Sequence, residues 1–445
     1  MSDQNQILLD RATALVEAAK RAGADASDAV SVLSRSRSAT VRQGKVENTG
    51  ASEADSLSLR VFVDGRVASV AADPSVAPDM LAERAVAMAK VSPRDEFNTL
   101  PDAGHLAERF ADLDKYDATE VSTEHLVENA LAVEAAALGV SGVAQSMGGS
   151  ASAGTSGMVL AASNGFSGAY EGTGFGISVS AIAGEGTGMQ RDYDYTSASH
   201  YADLETAQEV GKRAGDRTVK RLNPRKVKTQ KIAAIYDPRV ARGVLGHLTS
   251  AINGGAVARK STFLKDAMGE QITNAAITVV DDPFIVRNSG SRPFDGEGIA
   301  GEKMTMVENG VLKHWYLSTP IANELGLETN GRGRRSGTQV GAGPTNVFIE
   351  PGDRSPEDMI KEIGTGLYVT EMIGSGVNMV TGEYSRGVSG YWIEDGELTF
   401  PVTEVTLASN LKDMFMAMIP ANDLDRKYAT AAPTLMFENM MLAGI

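Results

Sequence analysis

Three Asx-Gly pairs, each between stretches of alternating apolar and polar residues, most strongly limit how this chain folds. They are Asp64-Gly65, Asn309-Gly310 and Asp395-Gly396. A type I′ turn needs positive φ at both central residues, and these dipeptides accept that conformation readily. Each pair therefore predicts a tight β-hairpin, as in SLSLRVFVDGRVASVAA. Antiparallel strands must make up much of the fold.

Helices alternate with strands in the first half of the chain, and the order helix, strands, helix occurs twice. The first helix places Leu8, Ala12, Leu15 and Ala19 on one face and ends at Gly23. The predicted elements are a helix over 5–22, strands around 28–35 and 56–72, a helix over 78–90, a helix to Leu138 capped by Ser122 or Thr123, strands over 155–190 and a helix over 204–222.

Beyond Asn223-Pro224, which stops the last of these helices, strands and tight turns dominate. Short helices are predicted near 319–325, 356–363 and 410–418. The predicted fold class is α+β. Residues 1–225 form an N-terminal domain of two helix-strands-helix half-repeats, and residues 226–445 form a C-terminal, mostly antiparallel β domain with short helices.

The composition excludes several classes of function. A formal net charge of −15 argues against nucleic acid or an anionic membrane surface as a partner, since both need clustered positive charge. The chain has no cysteine, which excludes disulfides, thiolate nucleophiles and cysteine-ligated metals. It also has no apolar stretch near the roughly 20 residues of a membrane span and no signal-peptide pattern at its start. These features favour a cytoplasmic protein.

One strongly basic run, residues 212–231, could bind phosphate. It covers the end of a predicted helix and the following NPRK turn, where cations offset the helix dipole, and we favour this structural interpretation. The glycine-rich stretch SMGGSASAGTSG lacks the Lys-Ser/Thr ending of a P-loop. The stretches GTSGM and RGVSGY do not complete a serine nucleophile elbow.

His247 lies in a predicted helix that begins after Asp237-Pro238, a good N-cap and first-turn pair. A zinc hydrolase helix needs two converging imidazoles and a carboxylate that can deprotonate the bound water. No second histidine and no adjacent glutamate accompany His247, so a histidine that forms a hydrogen bond at the helix edge is favoured over a metal ligand. The buried stripe of this helix is predicted to be Ala241, Leu245, Leu248 and Ile252.

The stretch TGEYSRGVSGYWIEDG, residues 381–396, predicts an exposed turn with several polar groups. These are Glu383, Tyr384, Ser385 and Arg386. An acid, a phenol and a guanidinium together could bind a peptide backbone or a terminal carboxylate. The alternative, in which Arg386 only pairs locally with Glu383, is equally consistent with the sequence.

Several stretches resemble the TldD/PmbA family, once called modulators of DNA gyrase, and specifically its PmbA (TldE) branch. They are AVARKSTFL, RPFDGEGIAGEK and the block from EIGTGLYVTEMIGSG to TEVTLASNLKDMF. The resemblance implies a two-subunit metallopeptidase that processes peptides or unfolded segments. In it, a TldD-type partner carries His-Glu-x-x-x-His and a later cysteine as its metal site, and the PmbA-type subunit pairs with it as a heterodimer.

Alignment on Arg259-Lys260 places Gly246 at the first motif histidine, His247 at the glutamate and Ala251 at the second histidine. The resemblance thus implies no catalytic residue, metal or cofactor in this chain, and a divalent metal in the partner subunit. The expected role is to form part of the chamber and to aid substrate binding. The alternative is a non-enzymatic, homodimeric modulator of a toxin, topoisomerase or regulator.

Overall fold

The computed structural model describes residues 3–445, and the first part of the chain forms one long antiparallel sheet covered by helices. Its elements are α1 (Asp3–Arg21), β1 (Ala26–Arg42), β2 (Lys45–Val63), β3 (Arg66–Ala72), α2 (Pro78–Val91), α3 (Thr123–Leu138), β4 (Val143–Ala162), β5 (Ser167–Ala183), β6 (Gln190–Ala198) and α4 (Ala207–Lys220). The strand order is β3-β2-β1-β4-β5-β6. The two predicted half-repeats are confirmed, and β1 and β4 join them at the centre of the sheet.

Both helix pairs cover the same face of this sheet. Ala29 of β1 packs in the apolar cluster under α1 and α2, and Ala39, an even number of residues further along the same strand, packs under α3 and α4. Residues two apart on a strand share a face, so the long strands carry both helix pairs side by side. Val30 points to the opposite face and packs against Phe294 of the second part of the chain.

Local signals place these helices as predicted. The apolar face of α1 is buried at Leu8, Ala12, Leu15 and Ala19. Ser122 caps α3, since its side chain accepts a hydrogen bond from the backbone N–H of His125. The helices lie close to the sheet where the strands carry small residues. At Gly149 of β4, for example, an added Cβ would lie only 2.5 Å from the Ala130 carbonyl oxygen of α3.

The second part of the chain contains the remaining elements. They are β7 (Gln230–Tyr236), α5 (Pro238–Ala251), α6 (Gly254–Ala258), β8 (Val279–Asp281), β9 (Met304–Glu308), β10 (Val311–Leu312), α7 (Thr319–Leu325), β11 (Gly333–Ser336), β12 (Gln339–Ala342), β13 (Val347–Ile349), α8 (Pro356–Ile363), β14 (Gly366–Ile373), β15 (Glu383–Glu394), β16 (Glu397–Asn410), α9 (Leu411–Ala417), β17 (Ile419–Pro420), β18 (Thr430–Ala431) and β19 (Leu435–Ala443). The three predicted short helices are confirmed as α7, α8 and α9.

Five strands of this part close into a barrel. The order β16-β15-β14-β7-β19 closes because β16 also pairs with β19. Strand residues on one side of the barrel and the buried face of α5 belong to one apolar cluster, whereas α8 packs on the other side. The pairing is mostly antiparallel as predicted, but β7 with β14 and β13 with β18 are parallel.

The three predicted hairpin turns are confirmed. Both residues of each pair have positive φ: 54° and 69° at Asp64-Gly65, 48° and 85° at Asn309-Gly310, and 51° and 76° at Asp395-Gly396. These angles correspond to the type I′ turn that the dipeptides favour. The turns join β2 to β3, β9 to β10 and β15 to β16.

Buried ion pairs join the two parts of the chain. Arg335 lies 2.8 Å from Asp28 of β1, and Arg60 of β2 contacts the same carboxylate at 2.5 Å. Arg221 contacts both Asp192 of β6 and Glu371 of β14. The predicted boundary at residue 225 falls between α4 and β7, and the division into domains at that residue stays a prediction.

The basic run is largely occupied by local ion pairs. Arg213 and Arg217 of α4 both contact Asp194 of β6, and Arg213 also contacts Glu205. These cations therefore hold a helix to its sheet, in keeping with the structural interpretation. Within residues 3–445, no helix combines the length and the apolar composition that a membrane crossing requires.

Candidate functional site

The helix that carries His247 begins where β7 ends. The side chain of Asp237 accepts a hydrogen bond from the backbone N–H of Arg239 at 2.9 Å, and Pro238 occupies the first turn. The predicted cap is thus confirmed. The predicted stripe is confirmed too, because four residues spaced along this helix and its C-cap are fully buried: Ala241, Leu245, Leu248 and Ile252.

The burial of this stripe turns His247 toward the barrel strand β15. Its ring meets the Tyr384 ring edge to face, with centroids 6.2 Å apart. The imidazole is half-buried, and its Nε2 atom is buried without a hydrogen-bond partner among residues 3–445. The expected hydrogen bond is therefore absent at Nε2, since the ring packs against an aromatic face rather than a polar group.

The environment of His247 favours the neutral imidazole. Burial, and second the positive charge of Arg386, lower the pKa of His247 below its ordinary value of 6.5. A cation next to the ring disfavours protonation and also disfavours the approach of a metal ion. His247 is therefore neutral at pH 7.

Tyr384 connects the helix to the interior of the barrel. Its hydroxyl lies 3.2 Å from the hydroxyl of Tyr236 and donates to the sulfur of Met372 at 2.8 Å. Burial raises the pKa of both phenols, so both stay protonated at neutral pH. Tyr384 therefore serves as a buried packing and hydrogen-bonding residue.

The prediction of an exposed turn over 381–396 is wrong. Residues Glu383–Glu394 form strand β15, and Tyr384 is buried. Side chains alternate along a strand, so Glu383 and Ser385 point to solvent, whereas Tyr384 and Arg386 point toward α5. The alternative of a local pair is not observed either: Glu383 accepts from the Thr381 hydroxyl, and Arg386 Nε donates to the Ile373 carbonyl. Peptide binding by this group stays a prediction.

The three positions that the resemblance assigns to the altered metal motif lie along α5 in different surroundings. A Cβ at Gly246 would meet no atom within 4 Å, so this position opens onto free space. Ala251, the last residue of α5, is fully buried, and its carbonyl accepts a hydrogen bond from the Thr262 hydroxyl at 2.8 Å. The helix surface therefore has free space at Gly246 and is buried at Ala251.

These residues do not fit a divalent metal. Zinc sites in hydrolases use three imidazole or carboxylate ligands and an open position. The three motif positions of α5 offer one imidazole, with the Arg386 guanidinium beside it, and the sequence holds no cysteine. Among residues 3–445, no group of three or more His, Cys, Asp or Glu side chains is placed to hold a metal ion.

Two residues around His247 were not predicted. Tyr236 and Met372 complete the surroundings of Tyr384, and both lie far from it in sequence. Tyr236 is the last residue of β7, directly before the helix cap, which is the one local signal that points to it. Met372 reaches the site only because β14 pairs with β15.

The comparison with protein families covers most of this fold. Three models, all describing parts of metallopeptidases, match the chain: PmbA/TldA metallopeptidase domain 1 at residues 28–89, the central domain at 116–222 and the C-terminal domain at 229–444. These matches identify the protein as metallopeptidase-like. The chain belongs to the PmbA/TldD metallopeptidase family.

Two relatives match nearly the whole length of the chain, and a third matches part of it. Metalloprotease PmbA of Escherichia coli O157:H7 is 35% identical over 446 residues, which cover 99% of this chain and 97% of that protein. The PmbA homologue of Haemophilus influenzae is 31% identical over 447 residues, with the same coverage. A TldD homologue of Buchnera aphidicola is 28% identical over 188 residues, 41% of this chain and 39% of that protein.

Solved structures share the fold. A crystal structure described as a modulator of DNA gyrase from Bacteroides thetaiotaomicron superimposes with a TM-score of 0.91 at 27% identity, covering 100% of both chains. TldE from Thermococcus kodakarensis superimposes with a TM-score of 0.84 at 24% identity, covering 98% of this chain and 100% of that one. At that identity the second likeness concerns the fold alone.

Proposed function

We propose that this chain is the PmbA/TldE-type subunit of a two-chain metallopeptidase, in which a TldD-type partner holds the divalent metal. The observation that carries the proposal is the ligand-poor face of α5. Gly246 and Ala251 have no donor side chain, and the one imidazole, His247, lies next to the cation of Arg386. A helix of this kind contributes walls and contacts to a shared site.

The chemistry of peptide hydrolysis then belongs to the partner. A metal in the partner would polarise the substrate carbonyl and lower the pKa of its bound water. This chain lacks a carboxylate at the motif position that would take the proton from such a water. Its contribution is to bind an extended peptide and to keep the reacting groups away from bulk water.

Arg386 is the residue of this chain that we assign to peptide binding. It is half-buried beside His247, and among the residues that the structure describes its side chain makes one long hydrogen bond, from Nε to the Ile373 carbonyl at 3.4 Å. Guanidinium groups bind carbonyl and carboxylate oxygens with several donors at once. Arg386 can therefore turn to a substrate carboxylate or backbone carbonyl at small cost.

The compartment proposed for this complex is the cytoplasm. A chain of 445 residues without cysteine needs no oxidising environment for its stability. Its substrates would be peptides or unfolded segments, because a folded protein presents few extended segments to a site between two subunits.

Reconstitution of the pair tests the function. The pure chain and a TldD-type subunit from the same organism are mixed, and peptide hydrolysis, metal content and mass are measured. We expect no hydrolysis by this chain alone, a heterodimer with about one metal, and hydrolysis that is lost when the partner's motif glutamate is replaced by Gln. Replacement of His247 by Gln leaves catalysis within about threefold.

Two outcomes would overturn the proposal. Metal-dependent hydrolysis by the isolated chain would place a catalytic centre within it. A chain that stays self-paired beside the TldD-type subunit, without effect on its activity, would favour the homodimeric modulator instead. The name given to the Bacteroides neighbour makes DNA gyrase the first target to test in that case.

A further inference from the structure

The first 12 of the 19 residues of β2 have one edge without a neighbouring strand among residues 3–445. β3 pairs only with residues 57–63 of β2, so residues 45–56 pair with β1 on one side alone within the described chain. The side chains of this segment are exposed apart from the partly covered Gly50 and Asp55. In an antiparallel pair, alternate residues direct their N–H and C=O groups outward, so this segment, the free edge, offers an open row of donors and acceptors.

The free edge has only part of the usual protection against strand pairing. Natural edge strands carry prolines, bulges, charged side chains or short lengths that prevent added pairing. The segment VENTGASEADS has charged side chains but no proline, and its one bulge, opposite Thr40/Val41, leaves Glu47 unpaired with β1 close to the turn. From Asn48 to Ser56 the register with β1 is regular, which leaves the outer side suited to another strand.

The other half-repeat shows what such an edge can bind. β6 pairs only with residues 175–183 of β5, so the start of β5 corresponds to the free edge of β2. There an extended stretch of this same chain lies alongside: the N–H of Thr173 donates to the Lys115 carbonyl at 2.9 Å, and the N–H of Asp117 donates to the Thr173 hydroxyl at 2.9 Å. At the equivalent position on β2, no segment of residues 3–445 pairs with the edge.

A groove of about 590 Å³ connects the two edges across the sheet. Its lining includes Ala51 and Glu53 of the free edge, Thr155 of β4, and Tyr116 of the stretch that lies along β5. This volume falls within the range of about 300–1,000 Å³ that ligand pockets occupy. Side chains of a strand added at the free edge would therefore find room in the groove.

The charges of the free edge select among possible occupants. It carries Glu47, Glu53 and Asp55 against Lys45, and Glu53 lies 3.1 Å from Arg35 and Asp55 2.9 Å from Arg11. Pairing with the same edge of a second copy, centred on Gly50, would place Glu47 opposite Glu53 twice but Lys45 opposite Asp55 twice, so the charges give such pairing no net gain. A neutral or weakly basic extended segment avoids the repulsion at Glu47, and the segment that lies along the corresponding edge of β5 is likewise an extended stretch of chain.

We propose that the free edge of β2 binds an extended, neutral-to-basic segment of unfolded polypeptide by strand addition. The bound segment pairs through its backbone, and its side chains on one face enter the groove. Backbone pairing accepts many sequences, as a subunit that collects unfolded segments requires. This inference rests on the proposed peptide-handling function and assigns a second peptide site, distant in sequence from α5.

Hydrogen exchange with a defined probe tests the inference. The probe is a 12-residue peptide of alternating Thr and Val with two Lys residues, and its control is the same peptide N-methylated at alternate residues. Both are added to the full chain, alone and in the reconstituted pair. We expect slower exchange at the amides of residues 46–56 with the first peptide, and affinity about tenfold or more weaker with the control, which lacks half of the donors.

The outcomes separate this site from the proposed function. Hydrolysis by the pair without protection at residues 46–56 would overturn the free-edge site and leave the proposed function in place. Equal affinity for both peptides would overturn backbone pairing. Protection that grows with protein concentration in the absence of peptide would make the edge a contact between copies of this chain. No hydrolysis and no peptide protection anywhere would remove both proposals.

Discussion

At the scale of single residues, burial and charge decide the protonation of the acids at the junction between the two parts. Burial alone would raise the pKa of Asp28, but the charges of Arg335 and Arg60 outweigh burial and lower the pKa to about 2. The pKa of Glu297, two residues after Asp295, is shifted in the opposite direction. Burial, and second the negative charge of Asp295, raise the pKa of Glu297 to about 7.

Glu297→Gln should stabilise the protein at high pH. One carboxylate oxygen accepts from the Thr319 N–H at 2.7 Å, and the other is buried without a partner among the described residues. The folded pKa of about 7 exceeds the ordinary value of 4.5, so the folded state binds more protons between these values and stability falls as pH rises through them. We expect a gain on the order of 2–3 kcal/mol at pH 8 and little near pH 4.

Urea unfolding at both pH values measures this effect. The exposed Glu302→Gln serves as the control, since Glu302 lies at the surface and its change should alter the free energy of unfolding by less than about 0.5 kcal/mol. A gain from Glu297→Gln that is equal at pH 4 and pH 8 would contradict the assignment of the raised pKa.

Arg386→Ala should weaken peptide capture without unfolding the chain. The side chain forms one long hydrogen bond and no ion pair in the described residues, so its loss costs little stability. In the reconstituted pair we expect KM to rise about threefold to tenfold with kcat nearly unchanged, the pattern of lost uniform binding. Steady-state kinetics measures this, with the exposed Arg334→Ala as a control. Unchanged kinetics would remove Arg386 from the peptide site.

At the scale of elements, two kinds of helical glycine have opposite roles. Gly211 of α4 faces α3 so closely that a Cβ would lie 2.4 Å from the Val133 carbonyl oxygen and 2.6 Å from the Ala136 Cβ. Glycine is therefore needed for these helices to pack. Gly246 of α5 faces open space, so nothing in the packing requires glycine there.

Gly211→Ala and Gly246→Ala form a matched pair. The first should lower the free energy of unfolding by about 1–3 kcal/mol, because the helices must separate to admit the methyl group. The second should leave stability unchanged or raise it by up to about 1 kcal/mol, since alanine restricts the unfolded chain and favours the helix. Thermal and urea unfolding of both variants test this. Equal effects of the two changes would contradict the close helix approach.

At the scale of the whole molecule, a buried ion pair fastens the helix-covered sheet to the rest of the chain. Asp28 and Arg335 are about 2% and 5% exposed, whereas the otherwise similar pair of Arg35 and Glu53 is more than half exposed. Removal of Arg335 would leave Asp28 with Arg60 as its cationic partner, so contacts to a buried carboxylate are lost in a region of low polarity. A surface pair is screened by water and contributes little.

Arg335→Met should therefore destabilise the protein by about 2–3 kcal/mol, and Arg35→Met by less than about 1 kcal/mol. The loss should shrink as pH falls from 3.8 toward 2, because the folded pKa of Asp28 is about 2 and protonation then removes the charge that Arg335 stabilises. Urea unfolding at pH 7 and at low pH measures both variants. Similar effects of the two changes would show that Asp28 does not depend on Arg335.

The sequence by itself determined what depends on neighbouring residues. The Asx-Gly turns, the caps at Ser122 and Asp237, and the buried stripes of α1 and α5 were all predicted, because turn angles, capping bonds and helical periodicity act over a few residues. The family resemblance also assigned Gly246, His247 and Ala251 to the positions of the metal motif, and this assignment stays a prediction. Only the tertiary structure decided that β16 meets β19 to close the barrel and that residues 383–394 form a strand instead of part of an exposed turn. It alone placed Tyr384 between His247 and Tyr236 and left one edge of β2 unpaired. These features arise from contacts between residues distant in sequence, whose formation depends on the packing of the whole chain.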